Sequence, residues 1–178
     1  MKEKFVSLYM DWAKRAAQLS HAVRLNVGAV VVKDDTVISY GYNGMPAGWD
    51  NNCEDKDYMS VDAGGWLNPD EIEERWPYCE QQLPKDSNIW RRYALKTKPE
   101  VLHAESNAIA KLAKSTNSGL GADLFVTHSP CMECSKLIFQ SGIRRVFYAE
   151  DYRDNAGITF LKNSGVKVEK YDATKSND

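Results

Sequence analysis

Apolar residues recur every three or four positions near the start of the chain, with Phe5, Leu8, Tyr9, Trp12, Ala16 and Leu19 along one stripe. That spacing predicts an amphipathic helix over 2–19 with this stripe buried. The pattern then changes to β-branched runs at 27–33 (VGAVVVK) and 36–41 (TVISYG), separated by Asp34-Asp35. Two turn-forming residues between two such runs predict a hairpin. Residues 42–48 (YNGMPAG) then read as a turn-rich loop.

Helical spacing returns at His103, where Ala104, Ala108, Ile109 and Leu112 share a face of a helix ending near Lys114. Residues 123–128 (DLFVTH) predict a short strand. Residues 131–141 predict a helix with Cys134, Leu137 and Ile138 on one face, stopped by Gly142. A strand at 145–149, a helix at 157–163 and a strand at 166–171 complete the regular elements, and a polar tail follows from Ala173. A hairpin followed by three strands alternating with helices predicts an α/β fold. Its mixed five-stranded sheet is covered by helices on both faces, a three-layer α-β-α sandwich. The last three strands run parallel through crossover helices.

Residues 49–98 break the pattern. They have no steady period, yet they carry four of the five tryptophans together with Cys53 and Cys79. The acidic cluster Asp70-Glu71-Ile72-Glu73-Glu74 suits the opening of a short helix. Fifty residues are too many for an ordinary loop. We therefore expect one domain over 1–178, with 49–98 as an irregular insertion packed on it.

Composition narrows the class. With 43% hydrophobic and 27% charged residues, the 178-residue chain reads as a soluble globular protein able to bury a real core. Its 23 basic and 25 acidic residues give a net charge of −2. This argues against a polynucleotide partner, which leans on clustered positive charge, but leaves room for a mononucleotide. No apolar run approaches the roughly 20 residues of a membrane span, and the charged amphipathic start is unlike a signal peptide. Reduced cysteines in the cytoplasm are then the expectation.

The candidate chemistry is split between His103-Ala104-Glu105 and Pro130-Cys131-Met132-Glu133-Cys134. Cys131 and Cys134 lie three apart at a helix start, so their sulfurs point the same way. Pro130 suits the first helical position, and Ser129 before it suits the cap. The helix N-terminus favours thiolate. With His103 they make a Cys2His set, which leaves a zinc coordination position open for water. His103 and Glu105 are about 200° apart around a helix, so they converge only by reaching past its N-terminus. Two thiolates weaken zinc as a Lewis acid, so a base such as Glu105 beside it helps activate water. A closed structural zinc would instead need a fourth ligand such as Cys53 or Cys79.

This pattern, His-x-Glu followed by Pro-Cys-x-x-Cys, resembles the cytidine and deoxycytidylate deaminase superfamily. The blocks at 24–30 (RLNVGAV), 41–48 (GYNGMPAG), 103–109 (HAESNAI) and 127–134 (THSPCMEC) make the likeness strongest to the deoxycytidylate (dCMP) deaminases. Ser141-Gly142-Ile143 and Tyr152-Arg153 add to it. The resemblance covers roughly 20–170, apart from much of the insertion, and implies a cytidine deaminase-like fold.

It further implies one catalytic Zn2+ per chain held by His103, Cys131 and Cys134, with Glu105 as the proton shuttle. Zinc-activated water would attack C4 of the pyrimidine and convert dCMP to dUMP and ammonia, the precursor supply for thymidylate synthesis. Asn43 would bond the sugar, Arg24 the 5′-phosphate, and Tyr152 and Arg153 the base and phosphate. Three of these have a plainer reading: Asn43 suits a turn, Arg24 an exposed surface, and Tyr152 a core or an interface.

The resemblance also implies a homohexamer activated by dCTP and inhibited by dTTP, with Mg2+ accompanying the triphosphate. Tyr42, Gly44 and Met45 lie in the loop that would carry this control. Some viral relatives hold a second, structural zinc near the insertion. Here Cys53 and Cys79, even with His21 or Glu100, supply too few good ligands for one. The alternatives are a deaminase of free cytidine, deoxycytidine or another small base-bearing compound, a polynucleotide deaminase or nucleic-acid-binding module, and an inactive structural or interaction protein. Near-neutral charge weighs against the polynucleotide, and an intact Glu105 against the inactive protein.

Overall fold

The computed structural model of the chain describes residues 1–60, 67–81 and 90–174. It divides into two compact units, Met1–Asn51 with Glu100–Asp178, and Asn52–Pro99. Of the tail expected from Ala173, residues 175–178 lie outside the described residues, as do 61–66 and 82–89 of the insertion.

The larger unit is built on a five-stranded sheet. Strands β1 (Gly28–Lys33) and β2 (Thr36–Tyr42) form the expected hairpin. Both turn residues, Asp34 and Asp35, adopt positive φ (49° and 58°), as a two-residue primed turn requires. Within the smaller unit lie β3 (Glu54–Tyr58), α2 (Pro69–Arg75), β4 (Tyr78–Gln81) and β5 (Trp90–Thr97). The larger unit continues with α3 (Ala104–Leu112), β6 (Asp123–His128), α4 (Met132–Gln140), β7 (Arg145–Glu150), α5 (Ala156–Asn163) and β8 (Lys167–Lys170). The strand order is β2-β1-β6-β7-β8, with β1 antiparallel to both its neighbours and β6, β7 and β8 parallel.

The apolar runs of β1 and β6 are buried on both sides, so alternate residues feed two cores. Ala29, Val31, Leu124, Val126 and Val146 pack with Ala104, Ala108 and Leu112 of α3, Ile138 of α4 and Leu161 of α5. Val30, Val32, Phe125 and Phe147 face the opposite way, against Val6, Tyr9, Met10 and Ala13 of α1 (Glu3–Ala17). This is the three-layer α-β-α sandwich.

The buried stripe of α1 differs from the expected one. Val6, Tyr9, Met10, Ala13, Ala16 and Ala17 face inward, whereas Leu8, Trp12 and Leu19 are exposed. Closeness of approach decides this. A Cβ on Gly28 would lie 2.0 Å from the Ala13 carbonyl oxygen and 2.4 Å from the Ala17 nitrogen. The helix therefore turns its alanines to β1, and its largest side chains cannot occupy that seam. Leu137 is likewise exposed on α4, while Cys134 and Ile138 are buried.

The smaller unit is regular rather than irregular. β3, β5 and β4 form an antiparallel sheet in that order. The acidic cluster does sit in a helix, α2, opened by an Asn68–Glu71 capping box with proline at its first turn. Cys53 accepts from the Lys98 N–H through its carbonyl, whereas Cys79 lies opposite Arg92. Lys98 and Arg92 are six residues apart along extended chain, so the two cysteines are offset by about 20 Å at strand rise.

Candidate metal centre and active site

Three side chains from two helix starts converge in the larger unit. His103 occupies the N-cap of α3 and Cys131 the N-cap of α4, both with extended backbone (ψ 153° and 170°). Cys131 therefore precedes the first helical turn, and Pro130 and Ser129 lie further out than their expected first-turn and cap positions. His103 Nδ1 lies 3.4 Å from Cys134 Sγ and 3.6 Å from Cys131 Sγ. All three donor atoms fall within 4.8 Å of one another. The set is graded, with His103 exposed, Cys131 half-buried and Cys134 buried, so one side stays open.

Tight backbone packing fixes both helix starts. α3 lies on β2 at Gly41, where a Cβ would come within 2.1 Å of the Ala104 carbonyl. Gly44 and Leu102 exchange both backbone hydrogen bonds (3.1 and 2.9 Å), tying the loop after β2 to the residue before His103. Asn107 of α3 donates to the Tyr42 carbonyl at 3.0 Å. At the other helix, α5 comes so near that a Cβ on Gly157 would lie 2.2 Å from the Pro130 carbonyl.

The electrostatics suit a cation and a proton carrier. Hydrogen bonding from Cys134, then from His103, pulls the Cys131 thiol down to about 3. Sharing with Cys131, then burial, pushes the Cys134 thiol up. The hydrogen bond to Cys131 raises His103 against the opposing effect of burial. Glu105 is 4% exposed, and burial raises its carboxyl above the ordinary range. Its carboxylate also hydrogen-bonds the Cys134 thiol. One nitrogen and two sulfur donors suit zinc.

The other expected site residues divide. The Arg153 charge reaches His103 and opposes the rise in its pKa, and the Arg153 guanidinium lies 5.0 Å over the Tyr152 ring. Asn43 instead braces its own neighbourhood. Its Oδ1 accepts from the Val27 N–H and its Nδ2 donates to the Leu25 carbonyl, both at 2.8 Å. That leaves one amide hydrogen and one lone pair for a ligand. Arg24 adjoins this braced segment, and Met45 follows the Gly44–Leu102 bridge. Two supports were given no role from sequence: Asn107, whose bond to Tyr42 no local rule predicts, and Gly41, whose place inside a strand pattern signals close backbone approach.

Residues 3–150 match the family described as the cytidine and deoxycytidylate deaminase zinc-binding region. The chain belongs to that family. It is 34% identical over 172 residues to the deoxycytidylate deaminase of Enterobacteria phage T4, covering 91% of this chain and 87% of the relative. Its identity to the human deoxycytidylate deaminase is 32%, over 86% and 80% of the two chains. Among solved structures, the dCMP deaminase of cyanophage S-TIM5 in complex with dCMP and dUMP superposes with a TM-score of 0.71. That protein is 36% identical over 96% of this family member and 98% of its own chain.

Proposed function

We propose that this protein hydrolyses dCMP to dUMP and ammonia. The observation that carries the reading is the buried Glu105 hydrogen-bonded beside the His103–Cys131–Cys134 trio, in a chain similar along its length to dCMP deaminases. His103, Cys131 and Cys134 would hold the zinc. When bound, zinc supplies a Lewis acid that lowers the pKa of water. Glu105 takes a proton from the attacking water and delivers it to N3 of the base. C4–O forms as N3 is protonated. Glu105 then carries the second proton, from the new C4 hydroxyl, to the amino group, so that C4–N breaks as the C4=O double bond forms and ammonia leaves. Burial makes Glu105 a ready proton carrier by holding its carboxyl above the ordinary range.

Arg153 and Arg24 are the cations we assign to the 5′-phosphate, Tyr152 to the base, and the spare Asn43 amide hydrogen to the sugar. Regulation by dCTP and dTTP, with Mg2+ on the triphosphate, belongs to the same proposal. Its support is the bridge by which the Tyr42, Gly44 and Met45 loop holds the backbone beside His103. The proposal extends to a cytoplasmic homohexamer supplying dUMP for thymidylate, with about 49–98 an insertion in one deaminase domain over 1–178. No helix among the described residues is long and apolar enough to cross a membrane.

Ammonia release should be compared across dCMP, CMP, deoxycytidine and dCTP, with zinc measured per chain. We expect rapid turnover of dCMP alone. Glu105→Gln should retain zinc and lose about 100- to 10,000-fold in rate, the range for removing a general acid–base group. Deoxycytidine turned over as well as dCMP would overturn the phosphate assignments. A Glu105→Gln variant at full activity would overturn the mechanism.

A further inference from the structure

Ser129 precedes the Pro130-Cys131 corner, where a local reading makes it a helix cap. Its bonds lie elsewhere. The Ser129 N–H donates to the Glu150 carbonyl at 2.8 Å, and its Oγ accepts from the Tyr152 N–H at 2.8 Å. The residue is 3% exposed, so its hydroxyl faces no competition from solvent. These two bonds join the approach to Cys131 to the end of β7 and the segment beyond it.

That segment is short and held at both ends. Ser129 holds it at Tyr152, and Asp154 Oδ1 accepts from the Ala156 N–H at 2.9 Å where α5 begins. Between the two fastenings lies Arg153 at φ 42°, a left-handed conformation that costs a side-chain-bearing residue energy. Such a conformation persists only where surrounding bonds over-determine it. The Ser129 Oγ to Tyr152 N–H bond is one of them, immediately before the strained residue.

We propose that Ser129 is a positioning residue that sets the preference for a phosphorylated over an unphosphorylated substrate, by fixing the backbone that aims Arg153 at the phosphate. The inference rests on the assignment of Arg153 to the phosphate made above. Ser129 touches neither the metal ligands' donor atoms nor the substrate in this account. Its contribution is to limit the directions open to a long, flexible cation. A preorganised arginine loses less freedom on binding, and a charge-assisted bond of fixed geometry discriminates strongly against a ligand lacking the charge.

The test is steady-state kinetics on dCMP and on deoxycytidine, with zinc content measured for every variant. Ser129→Ala should raise KM for dCMP by roughly tenfold, the effect of weakening one charge-assisted hydrogen bond. The kcat, the zinc content and the deoxycytidine kcat/KM should stay near those of the wild type. In an Arg153→Ala background, Ser129→Ala should add nothing further, because the two act as one unit. Should alanine's lost oxygen also loosen the fold, Ser129→Thr and Ser129→Val provide a matched pair. They share a shape, and only threonine keeps the acceptor, so only valine should lose the preference for dCMP.

Equal losses on both substrates, loss of zinc, or additive effects with Arg153→Ala would overturn the proposal in favour of a purely structural serine. A preference for dCMP undiminished in both Ser129→Ala and Ser129→Val would overturn it as well, leaving the function itself intact. A wild-type protein that does not prefer dCMP would take down both the functional reading and this one.

Discussion

The two compact units are held together by different physics. In the larger unit, side chains from both faces of the sheet are buried, among them Phe125, Leu124, Val30, Val126 and Val146 at 1% exposure or less. In the smaller unit, only Cys53, Glu54 and Trp76 are buried among the described residues. What organises its sheet is a ladder of backbone bonds dressed with rings and charges. Tyr93 lies between Tyr58 and Tyr78, at 5.7 and 5.4 Å between centroids, with Lys56 4.8 Å over it. Arg91 lies 4.4 Å over Tyr58, and Glu80 bonds both Lys56 and Tyr58. The metal centre stands on the unit with the dense core, where helix starts can be held to within a fraction of an ångström.

The largest effect on that contrast should come from Phe125→Ala. Phe125 is fully buried, stacked on Phe147 at 4.8 Å and against Tyr9 at 5.3 Å. Removing it leaves a cavity beneath α1 and should cost about 3–5 kcal/mol in chemical denaturation. A loss below 1 kcal/mol would mean that this core is no better packed than the smaller unit, and the contrast would collapse.

Next comes Gly41→Ala, which tests whether the dense packing serves the site. The added methyl meets the Ala104 carbonyl and the Ala108 nitrogen, at 2.1 and 2.5 Å, with no flexible atom to yield. Overpacking of this kind costs typically about 1–3 kcal/mol. Because Ala104 directly follows His103 at the start of α3, we expect zinc affinity and activity to fall together. Destabilisation with undiminished zinc affinity would separate the helix position from the ligand position and refute the link.

This contrast also explains what could be read from the sequence. β1 and β6 were legible because strands buried on both faces write continuous apolar runs, and the hairpin because Asp34-Asp35 states its own turn. The metal trio and Glu105 were legible because the ligands occupy two helix starts, each spelled by adjacent residues. β3 (EDKDY) and β4 (YCEQ) write no apolar period, and of their residues only Glu54 is buried. The stripe of α1 was misplaced because size suggested burial, whereas proximity to Gly28 demanded alanine. Ser129 was misread for a related reason: the local rule offers it a helix cap, and a residue 23 positions away offers a better partner. The left-handed Arg153 left no trace, because no local rule places an arginine there.

Glu80→Gln should show the smallest effect. Its carboxylate is held below the ordinary range by Lys56 first and Tyr58 second, so it is charged throughout the neutral range. Lys56 and Glu80 are nonetheless 42% and 33% exposed, and ion pairs of that exposure contribute little and are screened by salt. Glutamine keeps an acceptor for the tyrosine hydroxyl and removes only the charge. Melting temperature and zinc content should both be indistinguishable from the parent at moderate salt, with any difference confined to low ionic strength. A clear fall in melting temperature at high salt would show that the charge network does for the smaller unit what burial does for the larger. The two would then differ in composition but not in how firmly they are held.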